Sequence, residues 1–145
     1  MITILDTNVV SEVMQAEPAA VVLRWLSQKR KEDGELCITT VSMAEILYGI
    51  ELLPHGKRRT ALLAGAETMF VRVFAGRIFP FEEEAARAFP RIAASRRAHG
   101  RPIAELDAQI AAIARARGAI LATRNTTDFE DCGVRLVNPW LDLRG

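Results

Sequence analysis

Residues 2–8 read ITILDTN, a short apolar run that ends abruptly in polar residues. A run of this length and composition is typical of a strand buried inside a parallel sheet. Similar runs recur at Leu36–Thr39, Ile120–Thr123 and Val134–Val137, with a less regular one at Arg77–Pro80. The sequence therefore predicts four or five buried strands.

Longer segments with helical periodicity separate these strands. Because strands alternate with helices, the pattern predicts an α/β fold with a mainly parallel central sheet flanked by helices on both sides. No repeat or linker divides the chain, so a single domain over residues 1–145 is expected, and Pro90 should kink its helix or mark its true start. The predicted helices are Asn8–Met14, Pro18–Arg30, Val41–Leu53, Lys57–Phe74, Glu82–His99 and Ile103–Arg117.

The composition is that of an ordinary globular protein, with 50% apolar and 26% charged residues and a net charge of +1. A nucleic-acid partner would have to be attracted by local basic clusters, which are otherwise ordinary solvated helix faces. Three such clusters occur, at residues 29–31, at residues 57–59 and at Arg96, Arg97, His99 and Arg101. No apolar run approaches the roughly 18 residues of a membrane span, so a cytoplasmic protein is expected.

The cysteines and histidines show no metal-binding spacing. Cys37 lies in an apolar run and is expected to be a buried thiol, while Cys132 is remote from it in sequence. His55 and His99 lie outside the strand-exit segments and are expected at the surface. Any metal site in this chain would therefore consist of oxygen ligands.

Three acidic residues occupy positions where parallel sheets bind ligands, beyond the carboxyl ends of the strands. Asp6 directly follows the first strand, Glu45 lies in the helix after the second, and Asp107 lies in the last long helix. Each also has a structural interpretation. Asp6 is a good helix N-cap, and Ser42 with Glu45 fits a capping box.

The surroundings of Glu45 and Asp107 favour a functional role. The segment 41–53 is apolar nearly all round, which predicts a buried helix, and an acid inside it requires a partner. Asp107 lies at the margin of an apolar stripe and so is not a simple surface acid. That stripe is predicted to consist of Ile103, Leu106, Ile110 and Ile113.

Three carboxylates within about 5 Å of one another would each repel the next by about 3 kcal/mol at an effective dielectric of about 20. Such a group must take up protons or hold cations, and oxygen ligands favour Mg²⁺ or Mn²⁺. Asn125 and Asp128 follow another strand but are weaker candidates, because both are common turn residues.

The motifs that contain these residues resemble the PIN-domain toxin nucleases of the VapC and FitB type, and the resemblance spans essentially the whole chain. The segments that carry it are DTN at 6–8, AEIxxG at 44–49, DxxIAxxA at 107–114, ATRN followed by Phe129, and NPW at 138–140. The resemblance implies a Mg²⁺- or Mn²⁺-dependent ribonuclease toxin that hydrolyses RNA. It also implies a homodimer, and either a simple complex or a higher assembly with a small DNA-binding antitoxin.

By position, Asp6, Glu45 and Asp107 match the metal-site acids of that family. A fourth acid often stands where this chain has Asn125, which can bind through its carbonyl oxygen but lowers the charge of the site by one. Asp128, three residues later, could compensate for that loss.

The hydroxyls of Thr7 and Thr123 could support the metal ligands. The resemblance further implies that a C-terminal segment of the antitoxin covers the acidic cleft, through an arginine that pairs with the carboxylates.

Three alternatives remain open at this stage. A phosphohydrolase of the haloacid-dehalogenase type would need a second aspartate where this chain has Asn8, and a downstream lysine at a strand exit. A non-catalytic RNA-binding or interaction domain is favoured by Asn125 alone. In the third alternative the acids are only helix caps of a structural α/β domain.

Overall fold

Five parallel strands form the central sheet in a computed structural model that describes residues 1–141. They are β1 (Ile2–Leu5), β2 (Glu35–Thr39), β3 (Ile78–Phe79), β4 (Ile120–Ala122) and β5 (Arg135–Val137). Their order across the sheet is β3-β2-β1-β4-β5, and every neighbouring pair is parallel. The carboxyl ends of β1, β2 and β4 therefore lie side by side at one edge.

The predicted helices are all present among the described residues, with ends that differ by one or two residues in most cases. A π-helical turn at Met69–Val73 continues the fourth helix, and a 3-10 turn at Thr126–Phe129 follows β4. The α/β prediction is confirmed, although residues 142–145 of the expected domain lie outside the described residues. The helices are α1 (Thr7–Val13), α2 (Ala20–Lys31), α3 (Thr40–Glu51), α4 (Lys57–Thr68), α5 (Glu83–Ala98) and α6 (Glu105–Ala116).

Helices cover both faces of the sheet. Successive residues of a strand point to opposite faces, so neighbouring residues pack into different cores. Ile4 and Cys37 pack into the core shared with α5 and α6. Leu5 and Ile38 pack into the core shared with α1, α2 and α4. Cys37 is fully buried, as predicted, and this burial raises the pKa of its thiol to about 11.

Two helix faces that the sequence predicted to be buried are exposed. On α3, Tyr48 is 66% exposed and Leu52 is 67% exposed. On α6, Leu106 is 46% exposed and so does not belong to the core stripe. The reason is that α3 packs on the sheet through its Ile46 and Ile50 side, which leaves its opposite apolar side uncovered in this chain.

The helix boundaries follow ordinary local rules, with one correction. Pro90 lies inside α5, which begins at Glu83, so the prediction that it marks the start of the helix is wrong. Pro90 is exposed, so water can satisfy the carbonyl group that its missing N–H leaves without a helical partner. Gly118 ends α6 with a φ of 60°, a left-handed conformation that glycine adopts without strain. Within residues 1–141 no helix has the length and apolar character needed to cross a membrane.

Candidate active site

Asp6 lies between the end of β1 and the start of α1, where both its backbone and its side chain are hydrogen-bonded. Its backbone N–H donates to the carbonyl of Ala122 and so extends the pairing of β1 with β4. Its Oδ1 accepts the N–H of Thr7 at 2.8 Å, so Asp6 does cap α1. Its Oδ2 accepts the hydroxyl of Thr123 at 2.7 Å and the amide of Asn8 at 3.3 Å. The N-cap role and a role in a site are therefore compatible.

The negative charge of Asp6 is held in an unfavourable environment. Only 5% of the residue is exposed, and this burial raises the pKa of its carboxyl above the usual range. The hydrogen bonds from Thr123 and from the Thr7 backbone oppose that rise, while the charges of Glu45 and Asp128 add to it. A cation beside Asp6 would relieve this cost.

Glu45 is held by hydroxyl groups and does not form the predicted capping box. The N-cap of α3 is Thr39, whose Oγ1 accepts the N–H of Ser42 at 3.1 Å. Glu45 instead accepts the hydroxyl of Thr7 at 2.7 Å through its Oε1. The hydroxyl oxygens of Ser42 and Thr7 are 2.8 Å apart. Because Thr7 uses its one hydrogen for the carboxylate, Ser42 donates to Thr7 and completes a relay to Glu45.

Asp107 lies in the first turn of α6, where the charges of the other acids affect the pKa of its carboxyl group. Its burial raises the pKa of its carboxyl from 3.8 to about 6, and the charges of Asp6, Glu45 and Asp128 contribute to this rise. Asp6 is the largest of these three influences. The acids from separate segments of the chain are therefore close enough for their charges to affect the pKa of Asp107.

A cleft of about 390 Å³ at the carboxyl edge of the sheet joins these acids. It brings together the three predicted acids, Asn125 and Thr7. Thr123 is fully buried beneath Asp6, and Asp128 is exposed on the 3-10 turn, outside the lining. The lining residues are Asp6, Thr7, Asn8, Ser11, Glu12, Gln15, Glu45, Asp107 and Asn125.

One wall of the cleft, formed by α1, was not predicted from the sequence. Asn8, Ser11, Glu12 and Gln15 all lie on the cleft side of α1 and just beyond its end. Their spacing of three, four and seven residues is the helical signal that could have identified a shared polar face. Glu12 is partly engaged elsewhere, since its Oε2 accepts the N–H of Ala19 at 2.9 Å.

Two members of the basic cluster around Arg96, Arg96 itself and Arg101, have structural roles, whereas Arg97 and His99 are exposed. Arg96 is only 5% exposed, and its guanidinium donates to the carbonyl oxygens of Arg101, Asp128 and Glu130 at 2.7 to 2.9 Å. Arg101 pairs with the carboxylates of Glu130 and Asp131. These arginines anchor the segment that follows the 3-10 turn.

The other two basic clusters are partly neutralised. Arg59 pairs with Glu51 at 2.9 Å, and Lys29 lies 3.5 Å from Glu32. Both pairs lie on helix surfaces, where such contacts are worth little energy but lower the local positive charge. Arg59 is only partly exposed and also donates to the carbonyl of Ile50 at 3.3 Å, so it joins the end of α3 to α4 and is not part of a solvated helix face.

Residues 3–133 match the family model of the PIN domain. The chain belongs to the PIN-domain family. It is 38% identical over 137 residues to "VapC ribonuclease Y4jK" of Sinorhizobium fredii, which covers 94% of this chain and 96% of that protein. It is 37% identical over 139 residues to "Toxin FitB" of Neisseria gonorrhoeae, with 96% and 99% covered.

Solved structures give the same assignment. This PIN domain superposes on the crystal structure of FitAcB from Neisseria gonorrhoeae with a TM-score of 0.86 at 37% identity. The match covers 97% of this chain and 99% of that one. A structure of FitAB bound to a DNA fragment matches with a TM-score of 0.85. The resemblance to the VapC and FitB type that the motifs indicated is thus confirmed.

The donors of the cleft suit a hard divalent cation. They are carboxylate and amide oxygens, and neither histidine is among them. Across the described part of this PIN domain, no three Asp, Glu, His or Cys side chains converge closely enough to hold a metal ion by themselves. The close three-carboxylate cluster expected from the sequence is therefore looser here, with Glu45 held by Thr7. Mg²⁺ commonly uses one or two carboxylates and completes its shell with water and phosphate, so the donor set still fits.

The hydroxyl relay to Glu45 makes a testable prediction about this PIN domain. Thr7→Val removes the hydroxyl at nearly constant shape and should lower kcat/KM for nuclease activity about tenfold, as is common for partners that orient site residues. Thr7→Ser keeps the hydroxyl and should retain most activity. Ser42→Ala should lower kcat/KM several-fold in the wild type, because Ser42 holds Thr7.

A double-mutant cycle separates this relay from independent packing effects. Since Ser42 acts through Thr7, adding Ser42→Ala to Thr7→Val should cause no further loss of kcat/KM. Losses that multiply in the double variant would contradict the relay. Melting temperatures of all four proteins, measured without metal, provide the control for folding.

Proposed function

We propose that this PIN domain is a Mg²⁺- or Mn²⁺-dependent endoribonuclease and the toxin of a toxin–antitoxin pair. One observation carries the proposal: Asp6, Glu45 and Asp107, from three separate segments, line a single cleft at the carboxyl edge of the sheet. Relatives named as ribonucleases and as a toxin, similar over nearly their whole length, support the same assignment.

The residues of the cleft would have different roles in phosphodiester hydrolysis. Asp6 and Asp107 would hold the divalent ion, which supplies Lewis-acid polarisation of a phosphate oxygen and acidifies a bound water. Glu45 has one oxygen fixed by Thr7, so its other oxygen is available to orient the attacking water and accept its proton. Asn125 offers a neutral carbonyl oxygen where a fourth acid would add a charge.

We also propose an antitoxin partner that covers this cleft. The solved relatives include toxin–antitoxin complexes such as FitAB, some of them bound to DNA. In this chain the cleft presents carboxylates that are costly to leave without a counter-charge, and an arginine guanidinium would complement them. Binding of such a segment would exclude both metal and RNA.

A homodimer in the cytoplasm is part of the same proposal. Tyr48, Phe81 and Leu106 line an apolar groove of about 580 Å³ next to Glu45, and all three are exposed. Monomeric proteins rarely leave large connected apolar surfaces uncovered. Gel filtration of the purified chain at several concentrations tests the dimer, and a monomer at every concentration would refute it.

Cleavage of defined RNAs by the purified chain tests the central proposal. We expect cleavage with Mg²⁺ or Mn²⁺ and none with EDTA. Hydrolysis of this kind does not use the ribose 2′-hydroxyl, so single-stranded DNA of the same sequence is the informative second substrate. RNA binding without cleavage under any metal condition would instead favour the non-catalytic RNA-binding domain, for which Asn125 in the cleft is the supporting observation.

Metal binding should depend on pH through Asp107. Because its pKa is about 6 in the folded chain against 3.8 normally, the metal-free chain loses stability as pH rises through this interval, and the loss is complete above about pH 6. Mn²⁺ binds the ionised form, so the rise in melting temperature caused by Mn²⁺ should grow from about pH 5 to about pH 7. The same measurement on Asp107→Asn should show a smaller rise with a weaker dependence on pH, because only Asp6, whose pKa is also raised, then remains of the two proposed metal ligands. Identical pH dependence in both proteins would contradict the assignment of Asp107.

A further inference from the structure

Arg124 lies at the same sheet edge as the acidic cleft but outside its lining. It follows Thr123 at the end of β4, and it is exposed. Its backbone N–H donates to Oδ1 of Asn8 at 3.2 Å, and the amide of Asn8 lies 3.3 Å from Oδ2 of Asp6. A single side chain therefore links the backbone of Arg124 to the most buried acid of the candidate site.

The guanidinium of Arg124 is held against an aromatic ring. Its central carbon lies 4.9 Å from the centroid of Trp140. The backbone N–H of Trp140 donates to Oδ1 of Asn138 at 2.9 Å, and the amide of Asn138 donates to the carbonyl of Arg124 at 3.3 Å. Trp140 also packs against the core beneath α1 and α2. The ring is thus fixed, and it restricts a side chain that would otherwise sample many conformations.

Arg124 keeps its positive charge available at this edge. Within residues 1–141, no carboxylate forms an ion pair with it. Arg96 and Arg101, by contrast, are used for carbonyl and carboxylate contacts inside the protein. An acid-lined cleft repels a polyanion, so a restrained cation beside it is the kind of contact that a nucleic-acid backbone requires.

We propose that the Arg124–Trp140 pair binds a backbone phosphate of the RNA next to the phosphate that is cleaved. The proposal rests on the proposed ribonuclease function and assigns that function a substrate-binding residue. A guanidinium presents parallel N–H donors that match two oxygens of one phosphate, and Trp140 positions it without contacting the reacting atoms. The role is binding and register along the strand, so it should affect KM rather than kcat.

The experiment measures RNA binding separately from cleavage. In an Asp6→Asn background, fluorescence anisotropy with a short labelled single-stranded RNA gives Kd over a range of KCl concentrations. Arg124→Gln should raise Kd about tenfold, and it should reduce the slope of log Kd against log salt by about 0.7, the value for one lost phosphate contact on a single strand. With Asp6 restored, KM should rise similarly while kcat stays within about twofold.

Arg135→Gln is the matched control. Arg135 is also exposed, and it is the first residue of β5. It pairs with Ile120, the first residue of β4, so Arg135 lies at the amino edge of the sheet, opposite to the cleft. The Arg135→Gln variant loses the same charge as Arg124→Gln, yet its slope of log Kd against log salt should stay within experimental error of the wild-type slope. Arg124→Lys keeps the charge but loses the planar fork, so the salt slope should be retained while Kd still rises several-fold.

Each outcome decides the proposal. Equal changes in Kd and slope for Arg124→Gln and Arg135→Gln would overturn it, as would a loss confined to kcat or to antitoxin binding. If Arg124→Gln does not fold, Arg124→Lys against Arg135→Lys takes its place, and a selective rise in Kd at Arg124 is then required. A wild-type chain that neither binds nor cuts RNA would refute the ribonuclease function itself, and this subsite with it.

Discussion

Asp6→Asn is expected to reduce metal-dependent RNA cleavage by about 100- to 1000-fold. A bound cation contributes several kcal/mol to phosphodiester hydrolysis, and each 1.4 kcal/mol or so is worth tenfold in rate. Asp6 is the most buried of the three acids and the one whose oxygens are positioned by Thr7, Asn8 and Thr123. The substitution keeps its shape and removes the charge that would hold the ion.

The same substitution should not destabilise the metal-free protein. Burial and the neighbouring acids raise the pKa of Asp6, which means that its ionised form is disfavoured in the folded chain. Removing the charge relieves that cost, although the amide of asparagine must now face the hydroxyl of Thr123. We expect a melting temperature without metal that is equal to or above that of the wild type, together with the loss of stabilisation by Mn²⁺.

Glu105→Gln is the control for a simple loss of negative charge. Glu105 opens the same helix as Asp107 but is exposed and outside the cleft lining. Its replacement should leave both cleavage and Mn²⁺ stabilisation nearly unchanged. Equal cleavage by wild type and Asp6→Asn would indicate either a contaminating nuclease or a site that does not use Asp6.

The placement of the candidate site could be predicted because it depends on topology more than on side-chain detail. Parallel strands end at the same edge, so residues that leave β1, β2 and β4 must come together there. That rule alone brings Asp6 and Asn125 to one cleft, and the early turns of α3 and α6 add Glu45 and Asp107. None of this requires knowledge of a particular rotamer.

Contacts between distant segments could not be predicted in this way. The hydroxyls of Thr7 and Ser42 meet across 35 residues, and neither position carries a spacing that identifies the other. Likewise, hydrophobic periodicity placed Leu106 in the core, although the side of α6 that contains it faces an uncovered groove. Periodicity shows that a face is apolar, but it does not show whether this chain or a partner covers it.

The basic run near residue 96 illustrates the same limit and leads to the second large effect. In sequence, Arg96 and Arg97 are equivalent members of a charged cluster. In the structure, Arg96 is buried and holds carbonyls 32 and 34 residues away, while Arg97 is exposed. The rotation of α5 about its axis decides which of the two becomes a structural residue.

Arg96→Ala should lower the free energy of unfolding by about 3 to 5 kcal/mol, a large part of the roughly 5–15 kcal/mol that stabilises a typical domain. The guanidinium makes three hydrogen bonds to the carbonyls of Arg101, Asp128 and Glu130. Its removal leaves the carbonyl of Glu130 with only the weak thiol donor of Cys132 and takes a charged donor from the other two. Urea unfolding of the metal-free protein gives the difference from the shift in midpoint, provided that the slope is unchanged.

Arg97→Ala is the matched control, since it removes the same side chain from the next position of the same helix and should change stability by less than about 0.5 kcal/mol. Arg96→Lys should recover part of the loss, because an ammonium can reach fewer of the three carbonyls in the required directions. Equal stabilities of Arg96→Ala and Arg97→Ala would show that the carbonyl contacts do not hold the segment after the 3-10 turn. A selective loss at Arg96 would establish that this part of the basic cluster supports the fold that carries Asn125 and Asp128.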